Sequence, residues 1–67
     1  MQEVWKYKTG DVFVNELGDE SIRVIGYAFY PWYRVAHGFW DREDYEYHMV
    51  EVMVMESSLD RWEKVEV

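Results

Sequence analysis

Apolar and polar residues alternate most regularly between Ser21 and Met55, where three consecutive segments have the pattern of β-strands: SIRVIGYAF, WYRVAHGFW and YEYHMVEVMVM. Two short breaks separate them, Tyr30-Pro31 and Asp41–Asp44. Because successive side chains of a strand point to opposite faces of the sheet, this alternation predicts an antiparallel meander with two different faces. The rest of the chain is expected to cover this meander.

The two breaks also predict how the strands align. If the first break is a tight turn, Val24 faces His37. If the second is a four-residue turn, His37 faces His48, and Arg34 faces Glu51. Both registers give the same division of the residues between faces, and a slip of one residue in either strand pair would destroy that agreement.

The predicted interior face carries small and β-branched residues, namely Ile22, Val24, Gly26, Ala28, Tyr33, Val35, His37, Val50, Val52 and Val54. The outer face mixes charged with large apolar residues, namely Arg23, Ile25, Tyr27, Phe29, Trp32, Arg34, Ala36, Met49, Glu51 and Met53. On it, the row Tyr27–Arg34–Glu51 would place a cation between an aromatic ring and a carboxylate. Gly26 lies inside its strand, where glycine predicts a bulge or a sharp bend.

The segments on either side of the meander are short. A turn at Thr9–Asp11 precedes a strand over Asp11–Asn15, and Ser57–Trp62 predicts one helical turn capped by a serine. Leu59 and Trp62 are three residues apart, so they would point the same way. A last short strand is predicted over Glu63–Val67.

This order of elements resembles the Src-homology-3-like small barrel. The resemblance is carried by Thr9-Gly10-Asp11-Val12-Phe13, by the meander, and by Ser57–Trp62 followed by Lys64-Val65. It implies an all-β fold, a five- to six-stranded barrel over residues 1–67 as a single domain, with one helical turn before the last strand. The chain lacks the Ala-Leu-Tyr-Asp-Tyr-like opening of peptide-binding members, so recognition of proline-rich peptides is not implied. It also resembles small acidic proteins found among phages and prophages.

The composition limits which interactions can stabilise such a domain and which partners it can bind. A chain of 67 residues buries only about 60% of its unfolded surface, and without cysteine it has no disulfide or thiolate metal site. Its aromatic content of 19% offsets this, because aromatic rings bury large areas. The net charge of −7 would be repelled by nucleic-acid phosphates, so direct nucleic-acid binding is not expected. With no apolar run of about 18 residues and no signal-peptide pattern, we expect no membrane partner and a cytoplasmic location.

The sequence predicts no catalytic residues, cofactor or metal. It has no cysteine nucleophile, no Gly-rich phosphate loop and no Ser-His-Asp pattern with a flanking signature. His37 and His48, with Glu46 or Asp44, could ligate a divalent ion, but closed structural sites need four ligands, and two ring-filling histidines near a hairpin end explain the pattern equally well. Four aromatic residues could instead form a cage for methylated lysine: Trp32, Tyr33, Tyr45 and Tyr47.

The strongest functional pattern is the outer face. Its predicted protein-binding residues are Tyr27, Phe29, Trp32, Arg34, Met49, Glu51 and Met53, and an acidic hairpin that would steer a basic partner comprises Asp41, Glu43, Asp44 and Glu46. Aromatic residues, methionine and arginine are enriched in interfaces. Two alternatives remain open: the N-terminal arm could fold over this face through Trp5 and Tyr7 as part of the core, or a homodimer could bury it.

We therefore expect a non-enzymatic protein-binding module, in one form a small phage-type modulator or inhibitor of a host protein. The alternatives are a structural homo-oligomer and an acidic mimic of DNA that occupies a nucleic-acid-binding protein. The competing explanation of the acidic surface is that net charge keeps an aromatic-rich small protein soluble.

Overall fold

The computed structural model describes residues 4–66 and consists mainly of antiparallel β-sheet. The elements follow the chain as β1 (Val12–Val14), β2 (Glu20–Tyr27), β3 (Trp32–Asp41), β4 (Glu46–Met55), α1 (Glu56–Leu59) and β5 (Glu63–Lys64). The strand order in the sheet is β4-β3-β2-β1-β5. The all-β prediction and the helical turn before the last strand are confirmed. Within residues 4–66 no strand pairing joins β4 to β5, so the sheet is open at both ends.

The predicted alignment of β3 with β4 is wrong by two residues. His37 lies opposite Val50, and Val35 lies opposite Val52. The turn occupies residues 42–45 rather than 41–44, because the carboxylate of Asp41 accepts hydrogen bonds from the backbone N–H groups of Glu43 and Asp44 and so precedes the turn. A shift of two residues keeps every side chain on its face, so the predicted division of β3 and β4 between faces holds.

The predicted alignment of β2 with β3 is also wrong by two residues, for two separate reasons. Val24 lies opposite Val35 rather than His37. One residue of the shift arises in the loop, where the Trp32 N–H donates to the Phe29 carbonyl around a cis Tyr30-Pro31 peptide. The other arises from a register shift between Val24 and Gly26. That irregularity confirms the bulge predicted at Gly26.

The bulge moves Tyr27 to the opposite face of the sheet from the one predicted. Beyond it, Gly26 lies opposite Arg34 and Tyr27 lies opposite Tyr33. Because directly opposed residues share a face, the Tyr27 side chain lies on the inner face, and its ring centroid is 5.7 Å from that of Tyr33. The predicted row Tyr27–Arg34–Glu51 is therefore wrong at its first member.

A small cluster of buried residues forms the core on the inner face. Its members come from β1, β2, β3 and α1, and they are Phe13, Ile22, Val24, Tyr33, Val35 and Leu59. Four partly buried residues pack against it: Trp5, Tyr7, Val54 and Trp62. The prediction that Leu59 and Trp62 point the same way is confirmed, since Leu59 belongs to the core and Trp62 packs against it. The predicted serine cap is wrong, because α1 begins after Met55 with no side-chain capping bond.

The N-terminal arm, residues 4–8, covers the inner face. The Trp5 ring lies 4.5 Å from Tyr27 and 5.1 Å from Tyr33, measured between centroids. The backbone N–H groups of Lys6 and Tyr7 each donate to the Tyr33 hydroxyl at 3.1 Å, and that hydroxyl donates to Glu56. The arm is therefore part of the core, as one alternative proposed, but on the opposite face from the methionines.

β4 is much less covered than its sequence predicts. Val54 packs against the core, whereas Val50 and Val52 are 42% and 38% exposed. Their side chains point to the inner face, but β4 is an edge strand. The core residues of the sheet lie on β1, on β2 and on the N-terminal half of β3. The two ten-residue strands extend beyond the short β1 and β5, which makes the molecule elongated, at 47 × 21 × 19 Å.

Candidate protein-contact surface

Three methionines of β4 form an exposed row on the outer face of the sheet. Met49, Met53 and Met55 are 55%, 52% and 38% exposed, and they lie two or four residues apart on one strand. They share this face with Trp40 and Tyr47, which are 44% and 51% exposed. We call these five residues the methionine face.

An ion pair lies among these methionines. Arg34 Nη2 is 2.5 Å from Glu51 Oε1, and Arg34 Nε donates to the same oxygen at 3.2 Å. The predicted pairing of these two residues is confirmed as a contact, but it is diagonal, because Arg34 lies directly opposite Met53 and Glu51 directly opposite Ala36. Both side chains are about half exposed, so the pair contributes little to stability.

The other predicted contact residues lie at the loop end of the same sheet. Trp32 lies opposite Met55 and is half-buried, while Phe29 in the preceding loop is 63% exposed. Their ring centroids are 6.3 Å apart. The structure thus brings Phe29, Trp32, Arg34, Met49, Glu51 and Met53 to one side of the sheet. Tyr27 is the exception, since it packs against Trp5 on the inner face.

Sequence reasoning missed Trp40, Tyr47 and Met55 as members of this face. The same two-residue alternation would have included them, had it been continued along the whole of β3 and β4. Tyr47 lies over Gly38, where an added Cβ would be 2.1 Å from the tyrosine hydroxyl oxygen. Its hydroxyl oxygen is also 2.8 Å from Ser21 Oγ. Gly38 therefore provides room for a ring and does not mark a second bulge.

The acidic hairpin lies at the far end of the β3–β4 pair. Glu43, Asp44 and Glu46 are exposed, and Asp41 is half-buried. The backbone N–H of Glu43 holds the pKa of the Asp41 carboxyl below its usual value, with a smaller contribution from His48. The Asp41 carboxylate therefore keeps its negative charge to a lower pH than an ordinary aspartate.

The predicted histidine pair does not exist. His37 Nε2 lies 3.0 Å from Glu20 Oε1, whereas His48 Nε2 lies 3.4 Å from Asp41 Oδ2, in the other half of the hairpin. Asp41, Asp44 and His48 can each direct a ligand atom to a common point, since these atoms lie within 4.8 Å of one another. Contacts of the histidine ring with the two carboxylates account for the same geometry.

The proposed aromatic cage is wrong. Tyr33 is fully buried on the inner face, whereas Trp32 and Tyr47 lie on the outer face and Tyr45 occupies the turn. Burial, with a hydrogen bond to Glu56, raises the pKa of Tyr33 to about 12. Tyr33 therefore keeps its proton and serves as an anchor for the arm.

Comparison of the chain with protein-family models, with curated proteins and with solved structures gave no match. The class that the structure defines is a small all-β protein built on a five-stranded antiparallel sheet. Among residues 4–66 there is no helix long and apolar enough to cross a membrane.

Proposed function

We propose that this chain is a non-enzymatic protein-binding module that contacts its partner through the methionine face. The observation that carries the proposal is the exposure of Met49 and Met53, each more than half exposed, beside the Arg34–Glu51 pair. Methionine side chains are flexible and polarizable, so they adapt to varied apolar surfaces. Contiguous exposed apolar surface on a small protein is typical of an interaction site.

The partner is basic on this proposal. The chain has a net charge of −7, and three exposed carboxylates extend from the tip of the hairpin. Such a field accelerates the encounter with a positively charged surface, and salt weakens the acceleration. The hairpin carboxylates attract the basic partner, and they belong to Glu43, Asp44 and Glu46, with Asp41 behind them. The methionine face supplies the apolar contact.

The finer architectural and biological expectations belong to the same proposal. The strand order, with a helical turn between β4 and β5, supports a Src-homology-3-like barrel. A phage-type modulator or inhibitor of a cytoplasmic host protein is a form of such a module that its small size and acidity fit. An acidic mimic of DNA would bind through the hairpin carboxylates, and its methionine face would make no contact with the partner.

A capture experiment tests the proposal, with the chain immobilised and a cell extract as the source of partners. The variant Met49→Lys with Met53→Lys places two charges on the methionine face, and the control Leu17→Lys places one on a remote turn where Leu17 is 82% exposed. We expect the double variant to lose a specific partner that the wild type and the control both retain.

A second arm separates steering from contact. Reversal of Glu43 and Asp44 to lysine is expected to slow association and to flatten its dependence on salt, with dissociation nearly unchanged. If the wild type, the methionine variant and the hairpin variant all capture the same proteins equally, the proposal is overturned.

A further inference from the structure

In the part of the chain that the structure describes, no strand pairs with the outer edge of β4, and this edge has a pattern that fits a second copy of the same strand. We propose that β4 pairs antiparallel with β4 of a second copy, with Val52 on the two-fold axis. This goes beyond the proposed function, because it uses the edge of the sheet and leaves the methionine face open. The two open sheets then become one continuous sheet, with two methionine faces on the same side.

The backbone of β4 is available for such pairing. Glu56 donates its N–H to the carbonyl of Pro31 at 2.9 Å, which continues the β3–β4 ladder by one step. Because alternate residues of an antiparallel strand turn their backbone groups to opposite sides, Val54, Val52 and Val50 face β3. Met49, Glu51, Met53 and Met55 consequently direct their N–H and C=O groups outward, along the edge.

The side chains of β4 have the composition of an interior strand. An edge strand protected against pairing carries lysine, proline or a bulge, and β4 between residues 47 and 55 has none of these. Instead its inner face carries Val50 and Val52, each more than a third exposed, and its outer face carries methionines. Most side chains along this ten-residue edge are apolar, with Glu46, His48 and Glu51 as the exceptions, and a long edge of this kind is a template for another strand.

The order of residues indicates that the second strand is another β4. The segment MVEVMVM, residues 49–55, reads nearly the same in both directions about its central valine. With Val52 opposite itself, Val50 meets Val54 of the second copy and Met49 meets Met55. Strand pairing with an unrelated protein requires no such symmetry, whereas a two-fold interface requires the same surface to complement itself.

Charge selects this register over the alternative in which Glu51 lies on the axis. Moving the axis by one residue places Glu51 opposite Glu51 of the second copy, and like charges directly opposed are destabilising. With Val52 on the axis, Glu51 lies opposite Met53, and Met53 is itself the direct neighbour of Arg34. The same register brings His48 towards Glu56 of the second copy.

Cysteine substitution tests the register directly, because the chain has no cysteine of its own. The backbone N–H and C=O groups of Val52 point towards β3. Across the new interface, Val52 and Val52 of the second copy therefore form a non-hydrogen-bonded pair, with Cα atoms about 4.5 Å apart, which is within disulfide range. We expect Val52→Cys to form a covalent dimer on mild oxidation. Val50→Cys and Val54→Cys should each form no disulfide cross-link alone and should cross-link when mixed. Leu17→Cys controls for random collision.

Charge pairing at the axis gives a second test in which no bond is formed. Val52→Lys and Val52→Glu each place like charges on the axis, so each alone should lose at least about tenfold in dimer affinity, and an equimolar mixture should recover it. Analytical ultracentrifugation reads the mass against the 8.2 kDa of one chain. A wild type that stays at that mass at high concentration overturns the proposal, as does cross-linking of Val52→Cys no faster than that of Leu17→Cys.

The outcome is separable from that of the capture experiment. Sedimentation of the methionine variants shows whether any loss of a partner accompanies loss of the dimer. A monomer that still captures its partner through the methionine face would remove the edge pairing alone, and a dimer that captures nothing would remove the proposed function alone.

Discussion

β2 and β4 flank the same central strand, and both direct β-branched residues to the inner face, yet only β2 is buried. Ile22 and Val24 on β2 are 4% and 1% exposed, whereas Val50 and Val52 on β4 are 42% and 38% exposed. The two strands have nearly the same local pattern. The difference lies in what surrounds them, since among residues 4–66 β2 has a neighbouring strand on each side and β4 has only β3.

The comparison shows that alternation determines which way a side chain points and does not determine whether anything covers it. β2 is joined to β1, and the arm packs over its end through Trp5 and Tyr7. Of the β4 valines, only Val54 packs against the core. Val50 and Val52 therefore remain exposed apolar residues on the inner face of β4.

The largest expected effect comes from placing the same charge at matched positions on the two strands. Val24→Asp buries a carboxylate without a partner and should cost on the order of 4 kcal/mol, nearly the whole stability of a domain this small. Val52→Asp should cost less than about 1 kcal/mol, because the site is already partly solvated. Urea denaturation followed by circular dichroism measures both, at concentrations low enough to keep the chain monomeric. Equal destabilisation by the two variants would show that β4 is covered after all.

The next effect concerns the cover itself. Tyr33→Phe removes the hydroxyl that accepts the N–H groups of Lys6 and Tyr7 and donates to Glu56, so it should cost about 1–3 kcal/mol. Tyr47→Phe is the control, because its hydroxyl lies at an exposed contact. Amide hydrogen exchange should show faster exchange at Lys6 and Tyr7 in the first variant only. Unchanged protection at these amides would mean that the arm is held by its rings alone.

Alkaline pH should weaken the same anchor. The pKa of Tyr33 is raised in the folded chain from 10.0 to about 12, so its contribution is complete below pH 10 and is lost as the pH rises through about 12. Thermal unfolding from pH 9 to pH 12 should therefore show a falling melting temperature. The Tyr33→Phe variant should fall less steeply, and parallel curves for the two proteins would contradict the assignment.

The smallest effect is expected at acidic pH. The Tyr7 hydroxyl and then the Lys6 ammonium donate to Asp60 and hold its pKa below the ordinary 3.8, so this contribution is present above pH 3.8 and is lost as the pH falls through the lower folded value. Asp60→Asn should remove part of the acid dependence of the melting temperature. Glu66→Gln, at an exposed position, should leave that acid dependence unchanged. Identical profiles of melting temperature against pH for the wild type and both variants would rule out a stabilising contact of Asp60 with Tyr7 and Lys6.

Local pattern was enough to predict the three meander strands, their faces and the helical turn, since each depends on residues adjacent in the chain. It was enough for the Arg34–Glu51 contact as well, because a two-residue error leaves both on the same face. The bulge at Gly26 was predicted as a feature, but its consequence for Tyr27 was not. One extra residue moves every side chain beyond it to the opposite face of the sheet. Only the pairing of Tyr27 with Tyr33 shows that Tyr27 is one of the residues that change face.

What the sequence by itself determined is the alternation of β2, β3 and β4, and with it an all-β sheet with one β-branched and one methionine-bearing face. Tertiary structure decided the registers, because they depend on how Asp41 and the Phe29–Trp32 loop close their turns. It also decided that the arm covers Tyr33 and that β4 lies at the edge. Burial is a property of neighbours distant in the chain, and a strand carries no local record of whether it will have them.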